Sequence, residues 1–507
     1  MAETFDTDIL ICGAGAAGLT LAIELARRHL AFRIIEQLDS PFRGSRGKGI
    51  QPRSQEIFED VGILDRVVAA AGVYPPQREY RDDGSFEESV AVEITDATAA
   101  EPYHIPLLVP QFLTERVMRE RLAELGHSVE YGCALKSFTQ DAAGVTAVVA
   151  KAHGENAIRV RYLVGTDGGG SFVRHALEIG FPGKTLGVRA VVADVMLEGL
   201  DRDAWHRFNE GSMEKQIALC PLAGTALFQL QAPVPLEGDV DLSAEGLTAM
   251  IANRTGRTEV IIRSVSWASA YNMNARLADH YGSGRIFIAG DAAHIHPPTG
   301  GQGLNTSLQD SYNLGWKLAA VLNGAPATLL DTYEEERRPV AGEVLGLATR
   351  LLGSQKHGDR RRGREVHQLD IGYPQSSLAF EEPERKHGLL AGDRAPDAPA
   401  LGAGGQPIRL FNLFKGPHWT LLGYEVEGRH AFPARSGLHI HTVGAKGDII
   451  DDAGHIRDVY DLATGDWVLV RPDGYIGAIV SSAETPALNS YLDRVGLKTS
   501  PGAIQLV

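Results

Sequence analysis

Gly13-Ala14-Gly15-Ala16-Ala17-Gly18 follows the short apolar run Ile9-Leu10-Ile11-Cys12 and opens a segment in which Leu19, Ala22, Ile23 and Leu25 recur at helical spacing. A second apolar run, Phe32-Arg33-Ile34-Ile35, ends at Glu36, 18 residues after Gly18. This is a βαβ opening whose turn carries a G-x-G-x-x-G phosphate finger. Gly13 makes the tight turn, Gly15 lets the backbone approach a pyrophosphate, and Gly18 permits the helix to pack closely on its strand. With Ala16 and Ala17 these residues place a helix N-terminus against the phosphates. Glu36 ends the second strand where an acidic side chain accepts from a ribose hydroxyl and disfavours a 2'-phosphate. Gly13, Gly15, Ala16, Ala17, Gly18 and Glu36 form the first set of candidate cofactor-binding residues.

Outward from this unit, Pro52 to about Val61 reads as a helix, with proline suited to its first turn and Gly62 to its end. Residues 72–103 lose helical periodicity, carry the turn Asp82-Asp83-Gly84 and read as strands inserted into the first domain. Helical spacing returns from Gln111 to Leu125, and Val145 to Leu163 reads as strands leading into Gly165-Thr166-Asp167-Gly168. Beyond Phe181 the β-branched and aromatic runs Val188–Leu197, Gln216–Leu222, Ala226–Gln231 and Val260–Trp267 predict a sheet domain. A buried strand at Arg285–Ala289 and a helix from Leu304 to Leu322 return to the first pattern. From about Leu389 the runs His418–Leu422, Leu438–Val443, Trp467–Val470 and Tyr475–Val480 predict a separate small α/β unit. The expected fold is therefore α/β: a first domain over 1–180 and 281–388, a β-sheet domain over 181–280, and a C-terminal unit over 389–507.

A second motif lies in Gly290-Asp291 and the loop Pro297-Pro298-Thr299-Gly300-Gly301-Gln302-Gly303, which opens a helix through Leu304 and Asn305. A carboxylate at a strand end suits a polyol, and backbone amides at a helix start face a negative group, such as the anion of a reduced flavin. Asp291, Pro298, Gly301, Gly303, Leu304 and Asn305 join the candidate set.

The 507 residues are 44% hydrophobic and 22% charged, ordinary globular material for about three domains. A formal net charge of -15 argues against nucleic acid as a partner. The basic run Arg360-Arg361-Arg362-Gly363-Arg364 reads as a solvated segment. Cys12, Cys133 and Cys220 are far apart and match neither a disulfide framework nor a metal-ligand spacing. No apolar run approaches the roughly 20 residues that span a bilayer, and Asp6 and Asp8 interrupt any signal-peptide pattern. A cytoplasmic protein is expected, as a monomer or homodimer.

These motifs resemble the FAD-dependent aromatic hydroxylases, the group A flavoprotein monooxygenases with the para-hydroxybenzoate hydroxylase fold, over roughly the first 390 residues. The resemblance implies a Rossmann-like FAD-binding domain with an inserted β-sheet substrate domain, and residue roles that follow the motifs. The finger and Glu36 hold the ADP half of FAD, and Asp291 binds the ribityl chain. Asp167-Gly168, with Arg174 following, matches the intermediate motif implicated in FAD and NAD(P)H binding. Arg46, in Gly44-Ser45-Arg46-Gly47, resembles the arginine whose loop contacts FAD. Gln111 resembles the glutamine near the ribityl chain and isoalloxazine, and Pro298 to Asn305 would line the flavin ring. The C-terminal unit resembles the thioredoxin-like appendage of phenol and polyketide hydroxylases, but contains no cysteine, so thiol redox chemistry is excluded there.

The resemblance implies a reaction in which NADPH or NADH reduces FAD, O2 adds to the reduced flavin, and the hydroperoxide delivers one oxygen atom to a phenolic or polycyclic aromatic substrate. One finger of this type leaves NAD(P)H without a Rossmann domain of its own. Tyr271, His294 and His296 invite a proton-transfer role, but structural or solvated positions account for them as well, and no catalytic base is nominated. Baeyer-Villiger oxygenation on the same scaffold and a non-catalytic flavin-binding regulator are the alternatives. A nicotinamide dehydrogenase leaves Gly290–Asn305 unexplained, and a halogenase would need a tryptophan-rich motif that none of the five tryptophans forms.

Overall fold

The computed structural model describes residues 4–212, 214–356, 363–427 and 432–499. Among these, no helix is long and apolar enough to cross a membrane. Of the basic run, Arg360, Arg361 and Arg362 lie outside the described residues, while Arg364 pairs with Glu101 and Asp370.

Strands Thr7–Cys12, Phe32–Ile35, Gly154–Gly165 and Ile286–Ile288 form the parallel centre of a seven-stranded sheet. Apart from the longer Gly154–Gly165, which is apolar only toward its end, they are short and largely apolar because helices cover them; Ile9, Leu10 and Ile11 are completely buried. Helix Ala16–Ala26 packs on this sheet beside Gln111–Glu124 and the long helix Gly303–Leu322. The register sets the position of the site. Cys12 lies opposite both Ile35 and Gly165, and Gly165 lies opposite Ile288. The finger, Glu36, Asp167-Gly168 and Gly290-Asp291 therefore leave the sheet at one carboxyl edge, where open α/β sheets bind ligands.

The middle sheet has eight strands, ordered His294–Ile295, Ile261–Leu277, Gly183–Glu198, Phe228–Val234, Ile217–Pro221, Trp205–Phe208, Gln77–Tyr80 and Phe86–Ser89. Residues 72–103 thus interrupt the first domain in sequence, but in space their two strands extend the middle sheet through a parallel pairing of Gln77–Tyr80 with Trp205–Phe208. His294–Ile295, two residues past Ala292, pairs with the opposite edge. One face, with Val191, Ala193, Val195, Leu219 and Leu230, packs under helix Ala244–Thr255 through Leu247 and Ile251. The other face turns to the carboxyl edge of the first sheet.

The C-terminal unit is built on a second eight-stranded sheet, which takes in Phe380–Glu382 ahead of residue 389. Its turn at Pro472-Asp473-Gly474 docks on helix Gly303–Leu322. Trp316 Nε1 donates to Asp473 Oδ2 at 2.9 Å, Tyr312 Oη to Pro472 O at 3.2 Å, and Arg471 Nη1 to Glu336 Oε1 at 2.6 Å. Lys317 Nζ reaches Glu336 Oε2 at 2.7 Å, with both side chains fully buried. The helix whose first turn faces the site is thereby clamped at its far half.

Candidate active site

The finger has the cradle that a close-approaching backbone requires. Gly13 has φ +108°, and a Cβ there would lie 2.3 Å from Thr166 O; one on Gly18 would lie 2.0 Å from Gly13 O. Neither position admits a side chain without parting helix and strand. Gly15 differs: its φ is -76°, and a Cβ would meet nothing nearer than Glu115 Oε1 at 3.8 Å, so its bare face is turned to the cavity. Gly15 has no side chain to cap the helix it starts; the Ala16 amide faces Glu115, and those of Ala17 and Gly18 remain for an anion. Glu36 Oε2 accepts from Ala14 N at 2.9 Å and Oε1 from Leu38 N at 3.0 Å. A carboxylate has about four acceptor positions, so capacity for a ribose hydroxyl remains.

Asp167 and Asp291 are held differently. Asp167 Oδ2 accepts from Val173 N at 3.1 Å, while Oδ1 is buried without a partner among the described residues. Arg174 Nη1 donates to Ala292 O at 2.8 Å and Nη2 to Gly169 O at 3.0 Å, tying the two motifs together; it does not line the cavity. Asp291 opens into the cavity and accepts no hydrogen bond among the described residues. Burial raises its carboxyl from the ordinary value, opposed by His294 and Arg46. A carboxylate exposed to the cavity and without a protein partner offers its lone pairs as acceptors to the hydroxyls of a polyol.

Behind Asp291 runs a buried network. Asp310 accepts from Gly290 N at 3.1 Å, His294 Nε2 at 2.7 Å and Arg337 Nε at 2.8 Å. Burial works against the Asp310 charge, but His294 and Arg337 bring its carboxyl below the usual range. His294 is fully buried in this network and does not line the cavity, which makes it a strut. His296 does line the cavity, and burial pushes it down to about 3, so it is neutral. Tyr271 lines it too; burial raises its hydroxyl to about 12, leaving it a donor at neutral pH.

The loop 297–303 turns on Gly300 (φ +80°) and Gly301 (φ +65°). Pro298, Gly301, Gly303 and Leu304 line the cavity. Asn305 does not: it is completely buried, where Oδ1 accepts from Gln51 N at 2.8 Å and Nδ2 donates to Gly49 O at 2.9 Å and Gly301 O at 2.8 Å. Asn305 therefore joins the glycine loop to the segment that follows Arg46. Arg46 lines the cavity with its guanidinium 5.4 Å from the Phe42 ring. Gln111 Oε1 accepts from Gly47 N at 3.3 Å, fixing that same segment to the helix behind it.

One cavity of about 880 Å³ joins all of these to the middle sheet. Its wall is legible as rows across the strands. Arg207, Ala218, Gln231, Val192 and Ser269 are successive partners and all line it. In the next row Gln229 lies opposite Asp194, and Asp194 opposite Trp267. Asp194 is buried, accepting from Ser45 N at 2.7 Å and from the Ser45 hydroxyl, while Gln229 Nε2 donates to Ser45 O. This network anchors the Arg46 loop to the sheet. Trp205 is flanked by Lys48 Nζ, 4.2 Å from its ring centre, and the Arg207 guanidinium at 5.0 Å. Burial lowers Arg207 to about 10, still a cation at neutral pH.

The finger and the polar sheet wall share one chamber, with room for a dinucleotide at one end. Residues 6–348 match the family described as FAD binding domain, and the chain belongs to it. A flavin-dependent monooxygenase of Mycobacteroides abscessus is 40% identical over 493 residues, 96% of this chain and 99% of the relative. The 6-methylpretetramide 4-monooxygenase of Streptomyces rimosus is 31% identical over 540 residues, 99% and 96% of the two chains. The crystal structure of aklavinone-11 hydroxylase in ternary complex with FAD and aklavinone has a TM-score of 0.85 at 27% identity, over 97% of this chain and 99% of that one. The chain is an FAD-dependent monooxygenase of the aromatic hydroxylase type.

Sequence reading missed Glu115, Ser45, Asp194, Lys48 and Arg207. Glu115 had a signal, lying one helical turn after Gln111. The others come together from separate strands and loops with no local pattern.

Proposed function

We propose that this enzyme uses NADPH or NADH and O2 to insert one oxygen atom into a phenolic or polycyclic aromatic substrate of polyketide type. The observation that carries this is the continuity of the cavity from Gly15 and Asp291 to the row Arg207–Ser269. Two of the similar proteins support this reading by name, a 6-methylpretetramide 4-monooxygenase and an aklavinone-11 hydroxylase with FAD and aklavinone bound.

In this reading Gly13, Gly15, Ala16, Ala17, Gly18 and Glu36 hold the ADP half of FAD, with Asp167 beside the pyrophosphate. Asp291 and Gln111 hold the ribityl chain, and Pro298, Gly301, Gly303 and Leu304 border the ring, with Asn305 setting the loop. Bound FAD supplies the redox chemistry that activates dioxygen. The protein positions the substrate ring and keeps water out. Lys48 beside Trp205 favours the phenolate over the phenol, raising the ring's electron density, while Arg207 is held in an ion pair with Glu210. Tyr271, protonated, orients the substrate as a donor.

The test is NADPH and NADH consumption against a panel of phenols and aromatic polyketides, with product mass. A product heavier by one oxygen is expected. Turnover that yields hydrogen peroxide alone with every candidate would overturn the proposal.

A further inference from the structure

A carboxyl group stands at the mouth of the phosphate finger. Glu115 lies on helix Gln111–Glu124, with its side chain 1% exposed. It lines the cavity, and its Oε1 is the nearest atom to a Cβ built on Gly15. The groups around it come from four elements. Gln111 Nε2 donates to Oε1 at 2.8 Å, and Arg119 Nη1 stands 3.9 Å from Oε2 on the same helix. The Ala16 amide, in the first turn of the finger helix, favours its charge; Glu36, after strand Phe32–Ile35, disfavours it. Tyr131 also faces it, with a buried hydroxyl that has no hydrogen-bond partner among the described residues.

The finger amides and the helix dipole attract one anion. With a pyrophosphate there, an ionised Glu115, its side chain 1% exposed, would add a third negative charge to the two of the pyrophosphate, and buried like charges are disfavoured. A protonated carboxyl, by contrast, is a donor that a phosphate oxygen accepts. We propose that Glu115 binds the FAD pyrophosphate as a neutral carboxylic acid, so that cofactor binding takes up one proton. Burial, partly offset by Gln111, Arg119 and the Ala16 amide, already raises this carboxyl to about 7 in the flavin-free chain. Phosphate raises it further. The sign follows: affinity is at its plateau below the flavin-free value, and falls about tenfold per pH unit between that value and the higher cofactor-bound one.

The inference rests on the cofactor placement proposed above. Asp291→Ala, at the ribityl end and away from Glu115, tests that placement and separates the two. For Glu115 itself, FAD is titrated calorimetrically into the flavin-stripped full chain at pH about 6.5 and about 8.5, in two buffers of different ionisation enthalpy. Uptake approaching one proton at the higher pH, with affinity lower there by about tenfold or more, is expected. Glu115→Gln, which is permanently neutral, should bind FAD with no such uptake and a flat pH profile. Wild-type binding without proton uptake would overturn the proposal, as would uptake that persists in Glu115→Gln. If that variant does not fold, the wild-type buffer comparison alone decides.

Discussion

Replacing Gly15 with alanine separates folding from cofactor binding within one motif. Gly15 has φ -76° and ψ -174°, an extended conformation that alanine adopts freely, and its new Cβ would be 3.8 Å from the nearest atom. The flavin-free fold should accept it with little net change, because about 0.4–1 kcal/mol gained from the less flexible unfolded chain is offset by alanine's poorer fit at the helix N-cap. Gly18→Ala is the contrast, because its Cβ would fall 2.0 Å from Gly13 O and 2.8 Å from Thr166 Oγ1. There the helix must leave its strand. For FAD the order reverses: a methyl on Gly15 holds the pyrophosphate off the finger amides. Loss of one hydrogen bond to a charged group, about 1.5–3 kcal/mol, weakens binding roughly 10- to 150-fold. Thermal unfolding of the flavin-free proteins and fluorescence titration with FAD measure both quantities. Wild-type FAD affinity in Gly15→Ala, or destabilisation matching that of Gly18→Ala, would refute the reasoning.

Asp291→Ala should weaken FAD retention about tenfold or more, since it removes a charged acceptor for a polyol; unchanged flavin occupancy after gel filtration would contradict its assigned role. Tyr271, raised to about 12, stays protonated through neutral pH. Tyr271→Phe should therefore raise KM for the aromatic substrate while leaving the shape of the pH profile between about 6 and 9 intact; a lost limb in that profile would show that Tyr271 titrates. Glu336→Gln strands the buried Lys317 and takes one of two carboxylates from Arg471, which keeps Asp473, and should cost about 3–5 kcal/mol in chemical denaturation; a change under about 1 kcal/mol would contradict it. Burial opposes the Glu336 charge, but Arg471 and Lys317 hold its carboxyl far below the usual range. The stability it contributes is complete above the unfolded carboxylate value of about 4.3 and is lost only as pH falls toward the depressed folded value. The stability difference between wild type and Glu336→Gln should therefore shrink as pH falls below about 4.3; a difference that stays constant from about pH 5 to about pH 2 would count against this account.

The finger was legible because its turn, helix and two strands follow one another within a single βαβ unit, so glycine spacing and apolar period report directly on backbone geometry. Gly290 to Asn305 was legible for the same reason, since a strand end, a glycine loop and a helix start are local signals. What local signals do not carry is which residue of a motif faces a ligand. Asn305 belongs to the motif, yet pairing with Gln51, 254 positions away, turns it inward. Asp194 and Ser45 form their contact across 149 residues, and nothing near either residue announces it. The strands at Gln77–Tyr80 and Phe86–Ser89 were visible as strands, but their sheet was not, because strand partners are chosen by tertiary packing.

Incorporation of oxygen from labelled dioxygen tests the account most directly. The flavin-loaded enzyme is supplied with NADPH or NADH, 18O2 and a polycyclic phenol that stimulates turnover, and the product is analysed by mass. One 18O atom in the product is the expected result. Product oxygen that comes from water, or consumption of the nicotinamide with the aromatic compound recovered unchanged across the substrate panel, would contradict it.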